Sequence, residues 1–83
     1  MRGTVLAVSR TTGFAAIETQ GGEYTIAEPL GGELEVGNVV DGPLESLGGA
    51  MLTKVGPPAE RLEVYIQDHH ASAARANQLL KER

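Results

Sequence analysis

The 83-residue chain has no cysteine and no tryptophan. The first absence excludes disulfide bonds, thiolate metal sites and cysteine nucleophiles. Aromatic side chains are nearly as scarce, since Phe14, Tyr24 and Tyr65 are the whole set. Any core must therefore be mostly aliphatic. No stretch approaches the roughly 20 apolar residues that span a bilayer. Met1-Arg2-Gly3 runs straight into an alternating pattern, without the long apolar run of a secretory signal. Together these absences predict a soluble, cytoplasmic protein that does not engage a membrane.

Basic residues are also few where they would matter most. Residues 1–56 carry three (Arg2, Arg10 and Lys54) against seven acidic ones, while residues 57–83 carry four of each. The whole net charge of −4 thus sits on the first segment. Affinity for nucleic acid leans on phosphate neutralisation by Lys and Arg, so this segment opposes a polyanion.

What remains is enough for one small domain. Hydrophobic residues make up 41% of the chain, which supports a compact core near the lower size limit for a single domain. The pattern is that of short strands. Gly3-Thr4-Val5-Leu6-Ala7-Val8 alternates, with Gly3, Val5 and Ala7 on one face and Thr4, Leu6 and Val8 on the other. Arg10-Thr11-Thr12-Gly13 reads as a turn, and 14–19 as a second strand. After Gln20-Gly21-Gly22 comes a third strand over 23–27, with Tyr24 and Ile26 sharing a face. Pro29 and the following glycines interrupt the ladder. A fourth strand is expected over 39–44 and a fifth over 50–55. Five short strands within 55 residues, separated by glycine-rich turns, predict a small closed antiparallel barrel. Its expected interior includes Val5, Ile17, Tyr24, Ile26 and Val40.

Three runs carry a resemblance: Arg2-Gly3-Thr4-Val5, then Thr12-Gly13-Phe14-Ala15-Ala16-Ile17, then Leu34-Glu35-Val36-Gly37-Asn38-Val39-Val40. In this order they resemble the cold-shock domain, an OB-fold barrel, over about two thirds of the chain. The resemblance implies single-stranded RNA or DNA binding through two ribonucleoprotein motifs on the second and third strands. In the first motif, Lys-Gly-aromatic-Gly-Phe-Ile, Phe14 and Ile17 fit. Thr12 replaces the lysine, Ala15 the glycine and Ala16 the second stacking aromatic. The second motif, Val-Phe-Val-His-Phe, falls on Tyr24-Thr25-Ile26-Ala27-Glu28 and loses its three outward residues. Leu6-Ala7-Val8 stands where the family places a tryptophan. Each stacked base contributes roughly 1–3 kcal/mol, so these losses together remove most of the family's binding energy. Phe14 is the one platform left.

Residues 1–56 form the expected barrel, and 57–83 form an extension with no counterpart in a minimal cold-shock domain. Gly56-Pro57-Pro58 is a stiff link. Residues 71–83 predict a helix, with Ser72 or Asp68 as cap and Lys81 and Arg83 suiting its C-terminal dipole. Ala73, Ala76, Leu79 and Leu80 form its apolar stripe. Residues 62–67 satisfy both strand and helix spacing, and Val64-Tyr65-Ile66 favours a strand.

No catalytic constellation is apparent. Ser9, Ser46 and Ser72 lack a His–Asp partnership, the carboxylates are scattered, and the glycine pairs lack a phosphate-loop context. His69-His70 beside Asp68 reads as a polar helix start, because no ligand elsewhere completes a metal site. The expectation is a small non-enzymatic binding module with no cofactor and no metal. Its partner would be another protein or a second copy of itself, through Ala73, Ala76, Leu79 and Leu80. The alternative is weak single-stranded nucleic-acid binding through Phe14, Arg2, Arg10 and Lys54.

Overall fold

A computed structural model describes the backbone of residues 1–81, with every side chain among them except those of His70, Leu79, Leu80 and Lys81. Its strands are β1 (Arg2–Val8), β2 (Ala15–Thr19), β3 (Tyr24–Pro29), β4 (Val39–Asp41), β5 (Gly48–Lys54) and β6 (Glu60–Ala71), followed by helix α1 (Ala73–Lys81). The strands close into one antiparallel barrel in the order β1-β2-β3-β6-β5-β4. The chain is thus mainly β, with a short C-terminal helix and six staves rather than five. The ambiguous segment is a strand, and a longer one than its alternating core suggests.

Two three-stranded meanders make up the barrel, β1–β2–β3 and β4–β5–β6, joined along two seams. One seam pairs β1 with β4, from Arg2↔Asp41 to Thr4↔Val39. The other pairs β3 with β6, from Tyr24↔Ala71 to Pro29↔Val64. Strand β6, which lies beyond the Gly56-Pro57-Pro58 link, also pairs through Glu60 to Ile66 with the whole length of β5. Closure therefore draws on residues from both sides of that link. Closing a sheet removes the open edges that would otherwise template aggregation.

The interior is aliphatic. Val5, Ile17, Val40 and Leu52 are fully buried there, joined by Val64 and Ile66 of β6. Leu34 and Leu44 reach the same cluster from loops. Thr25 is a buried polar side chain, and its hydroxyl donates to the carbonyl of Leu44 at 2.7 Å. That bond satisfies the hydroxyl and ties the 42–47 loop to β3, in line with the cost of leaving a buried polar group unpaired. Gly3 is required small, since a Cβ there would lie 2.6 Å from Ile17 Cγ2.

Two strand phases differ from the alternation read in the sequence. In β1 the register slips between Val5 and Ala7, so Val5 pairs with Ile17 and Ala7 with Ala16. Leu6 is the extra residue of this bulge and is exposed. A bulge reverses the inside–outside phase beyond it, so Val8 packs on the interior cluster while Ala7 faces out. In β3 the expected interior residues Tyr24 and Ile26 lie on the outer face, and Thr25 and Ala27 point inward. Leu44 and Ile66 already occupy the interior beside β3, and a short inward pair leaves them room. Strand β4 is also shorter than the predicted 39–44, because the chain leaves the ladder at Gly42 and turns Leu44 inward.

Candidate functional site

The outer surface of the barrel divides into a covered face and a bare one. The covered face belongs to the first meander. The Leu6 bulge turns Ala7 outward, alternation in β2 turns Ala16 outward, and β3 presents Tyr24 and Ile26 beside them. Helix α1 lies across this surface with Ala76 packed on Ala16 and Ile26, and with Phe14 and Tyr24 half-buried alongside. Ile26 is 0% exposed although it lies outside the barrel, so the helix forms a second, smaller core there.

Local chemistry explains why the helix begins where it does. Ser72 Oγ accepts the Arg75 backbone N–H at 3.2 Å, and the Ser72 carbonyl accepts that of Ala76 at 2.9 Å. This is the N-cap arrangement expected of serine. The other candidate cap, Asp68, instead accepts the backbone N–H of His69 at 2.9 Å and receives Arg75 Nε at 3.4 Å. The helix is thereby held to β6 as well as to β2 and β3. The fit is loose on one side, where a cavity of about 130 Å³ opens between Leu6, Ala7, Ala16 and Tyr24 of the barrel and Ala73 and Asn77 of the helix.

The residues expected to bind nucleic acid do not form one surface. Phe14 and Arg10 sit at the β1–β2 turn, where the Ser9 backbone N–H donates to the Phe14 carbonyl at 2.8 Å. Arg2 and Lys54 sit at the far end of β1, lining a shallow groove of about 480 Å³ with Asp41, Met51 and Val55. A strand of seven residues separates the two pairs, roughly 20 Å at the usual rise. Asp41 faces Arg2 at 3.4 Å, which offsets part of its charge. Of the stripe residues, Ala76 is buried against the barrel and Ala73 is exposed at the cavity's rim. The side chains of Leu79 and Leu80 lie outside those described.

Ser9 and Ser72 have local roles, and His69 and His70 lie in β6 rather than at the start of a helix. Ser9 Oγ accepts the backbone N–H groups of Thr11 and Thr12 at 3.2 and 3.1 Å, shaping the first turn. Ser72 caps the helix, and Asp68 is engaged with Arg75. Among the described residues, no three His, Asp or Glu side chains converge as a metal-binding group.

The bare face belongs mainly to the second meander and was not singled out from the sequence. The pairing register places Tyr65 between Glu28 of β3 and Gly49 of β5, and Met51 beside Glu63. Leu30 donates its backbone N–H to the Glu63 carbonyl at 2.8 Å, and Leu47 enters β5 one residue before the Gly48↔Ile66 pair. All four apolar side chains, Leu30, Leu47, Met51 and Tyr65, are exposed. Each strand's alternation did contain a signal, with Tyr65 opposite in phase to Val64 and Met51 opposite to Leu52. Their adjacency follows only from the pairing of β3 with β6 and of β6 with β5.

The architecture is a small closed antiparallel barrel, OB-like in general shape, with an added helix on one face. No helix among the described residues is long and apolar enough to cross a membrane. No protein-family model, curated protein or solved structure matches the chain.

Proposed function

We propose that this protein is a non-enzymatic binding module, related in form to the cold-shock barrel, whose partner is a protein rather than a nucleic acid. The observation that carries this reading is the helix on the first meander. The first of the two motifs puts stacking positions at Phe14 and Ala16, and α1 rests there with Ala76 against Ala16 and against Ile26 of β3. Thr25 and Ala27, stacking positions of the second motif, point into the barrel. A base stacking there would have to displace the helix and re-expose Ile26, a buried aliphatic worth about 1.5–3 kcal/mol. A stacked base returns a comparable amount, which leaves little net gain. The seven acidic residues of positions 1–56 oppose phosphate as well.

Fluorescence titration of the full chain with a short single-stranded oligonucleotide tests this reading. The expected outcome is no saturation below the micromolar range, with any residual signal falling steeply as salt rises. Tight binding at physiological salt that is lost in Phe14→Ala would instead establish the nucleic-acid reading. Phe14 and Arg10 share one end of the barrel and are where such binding would concentrate.

A further inference from the structure

Resting on the reading of the chain as a protein-binding module, we infer that its docking surface is the outer face of β3–β6–β5, centred on Tyr65. The inferred partner is a protein segment whose apolar side chains are flanked by Lys or Arg. Half of the exposed large apolar residues among those described gather there: Leu30, Leu47, Met51 and Tyr65. The remainder are Met1, Leu6, Val36 and Val55, of which Val55 lines a groove with Met51 at the edge of this face. Cross-strand register sets Met51 and Tyr65 diagonally across the β5–β6 ladder, and Leu47 precedes the Gly48↔Ile66 pair at its end. Leu30 continues β3 one step past Pro29↔Val64, level with Glu63. Single exposed apolar residues are ordinary, whereas a contiguous group on one sheet face marks an interaction surface. An exposed aromatic at its centre fits the usual composition of binding anchors.

The charges around the patch select the partner. Glu28 and Glu63 are interleaved with the apolar side chains, Glu28 directly across from Tyr65 and Glu63 across from Met51. Glu28 accepts a neutral hydrogen bond from Gln67 Nε2 at 3.1 Å, so its charge is not cancelled. No ion pair among the described residues engages Glu63. The bases lie at one edge of the patch: Arg61 pairs across from Thr53, Lys54 across from Glu60, and Arg2, in the groove beyond Met51, faces Asp41. A second copy of the chain would bring the same carboxylates face to face about a twofold axis, which disfavours self-association through this patch. A nucleic acid is disfavoured by the same charges. A basic, apolar protein segment answers both features at once, and such complementarity steers encounter as well as specificity.

The test uses the full ¹⁵N-labelled chain and two synthetic amphipathic peptides of about 15 residues, long enough to form a helical apolar face. One is built from Leu and Lys, the other from Leu and Glu. The Leu/Lys peptide is expected to shift the amides of 28–30, 47–51 and 61–67, with perturbation weakening as salt rises, while the Leu/Glu peptide leaves them in place. Tyr65→Ser with Met51→Ser is expected to weaken binding at least about tenfold with the melting temperature nearly unchanged. Glu28→Gln with Glu63→Gln, which keeps the apolar group, is expected to remove the preference for Lys over Glu. Perturbation centred on 73–81 instead would overturn the patch while leaving a protein-binding module intact. Equal binding of both peptides overturns the charge argument, and so does an absence of perturbation up to about 1 mM. If the peptides are inert and oligonucleotides bind at Phe14, the functional reading falls together with the patch.

Discussion

The two meanders share one interior and differ at the surface. Ile26 and Ala16 of the first project away from the barrel and are still buried, at 0% and 3% exposure. Met51 and Tyr65 occupy comparable outward positions in the second, at 46% and 45%. One nine-residue helix accounts for the contrast. Because α1 lies over the first meander and touches only the C-terminal end of β6 in the second, the chain has two kinds of outer face, one sealed by its own C-terminal segment and one left to solvent. Shared closure and unequal cover are separable properties, so each can be broken without the other.

The largest effect expected is from removing closure. A chain ending at Gly56 lacks β6, so β3 and β5 both become open edges and Leu62, Val64 and Ile66 leave the core. It should show no cooperative thermal transition and should sediment as aggregate. A chain ending at Ser72 retains closure and loses only the cover. It should still melt cooperatively, destabilised by about 1.5–3 kcal/mol from re-exposing Ile26. Equal behaviour of the two truncations would mean that the helix is as necessary to the barrel as its sixth stave.

A paired substitution sharpens the same contrast. Ile17→Ala and Ile26→Ala each delete a buried aliphatic side chain and should each cost about 2–5 kcal/mol in urea unfolding of the full chain. In the chain ending at Ser72, Ile17→Ala should keep its cost, whereas Ile26→Ala should fall below about 1 kcal/mol, because its burial depends on the helix. Undiminished loss for Ile26→Ala in that background would place Ile26 in the barrel core after all.

The smallest effect belongs to the bare face. Tyr65→Ser changes an exposed outward position and should alter stability by no more than about 0.5 kcal/mol. A larger loss would show Tyr65 acting as a structural cover over Gly49 rather than as a free surface.

Residue patterns made some of this legible and left the rest hidden for identifiable reasons. Val5, Ile17 and Val40 are inside as alternation requires, and the turn at Gly21-Gly22 forms where two consecutive glycines at φ 92° and 79° allow it. Residue type offers Ser72 or Asp68 as the helix cap, and Ser72 is the one that takes it. The Leu6 bulge was not legible, since an apolar residue in an apolar strand carries no mark of being unpaired, and the phase of Ala7 and Val8 was lost with it. Alternation places Tyr24 and Ile26 inside, because large apolar residues on one strand face usually define the interior. Here a second apolar environment, the helix, claimed them instead. The resemblance to the cold-shock pattern stopped at five strands, so β6 was readable as a strand but not as the stave that closes the barrel. The docking face was hidden for a related reason, because its members lie on three elements and meet only through the β3–β6 and β5–β6 registers.

The seam between β3 and β6 also bears on how the chain acquires its fold. Its partners are far apart in sequence, Tyr24 with Ala71 at one end and Pro29 with Val64 at the other. The β1–β2 and β2–β3 hairpins, by contrast, join neighbouring segments. Local pairs form early and distant ones late, because loop closure comes before the contacts that reward it. On a ribosome adding roughly 5–20 residues per second, the edge of β3 waits on the order of 2–8 s for its partner to be made. During that interval the first meander has neither closing strand nor covering helix, and Ile26 faces the surrounding solution. Pulse-labelled hydrogen exchange during refolding should accordingly find the β1–β2 amides protected before those of the β3–β6 seam.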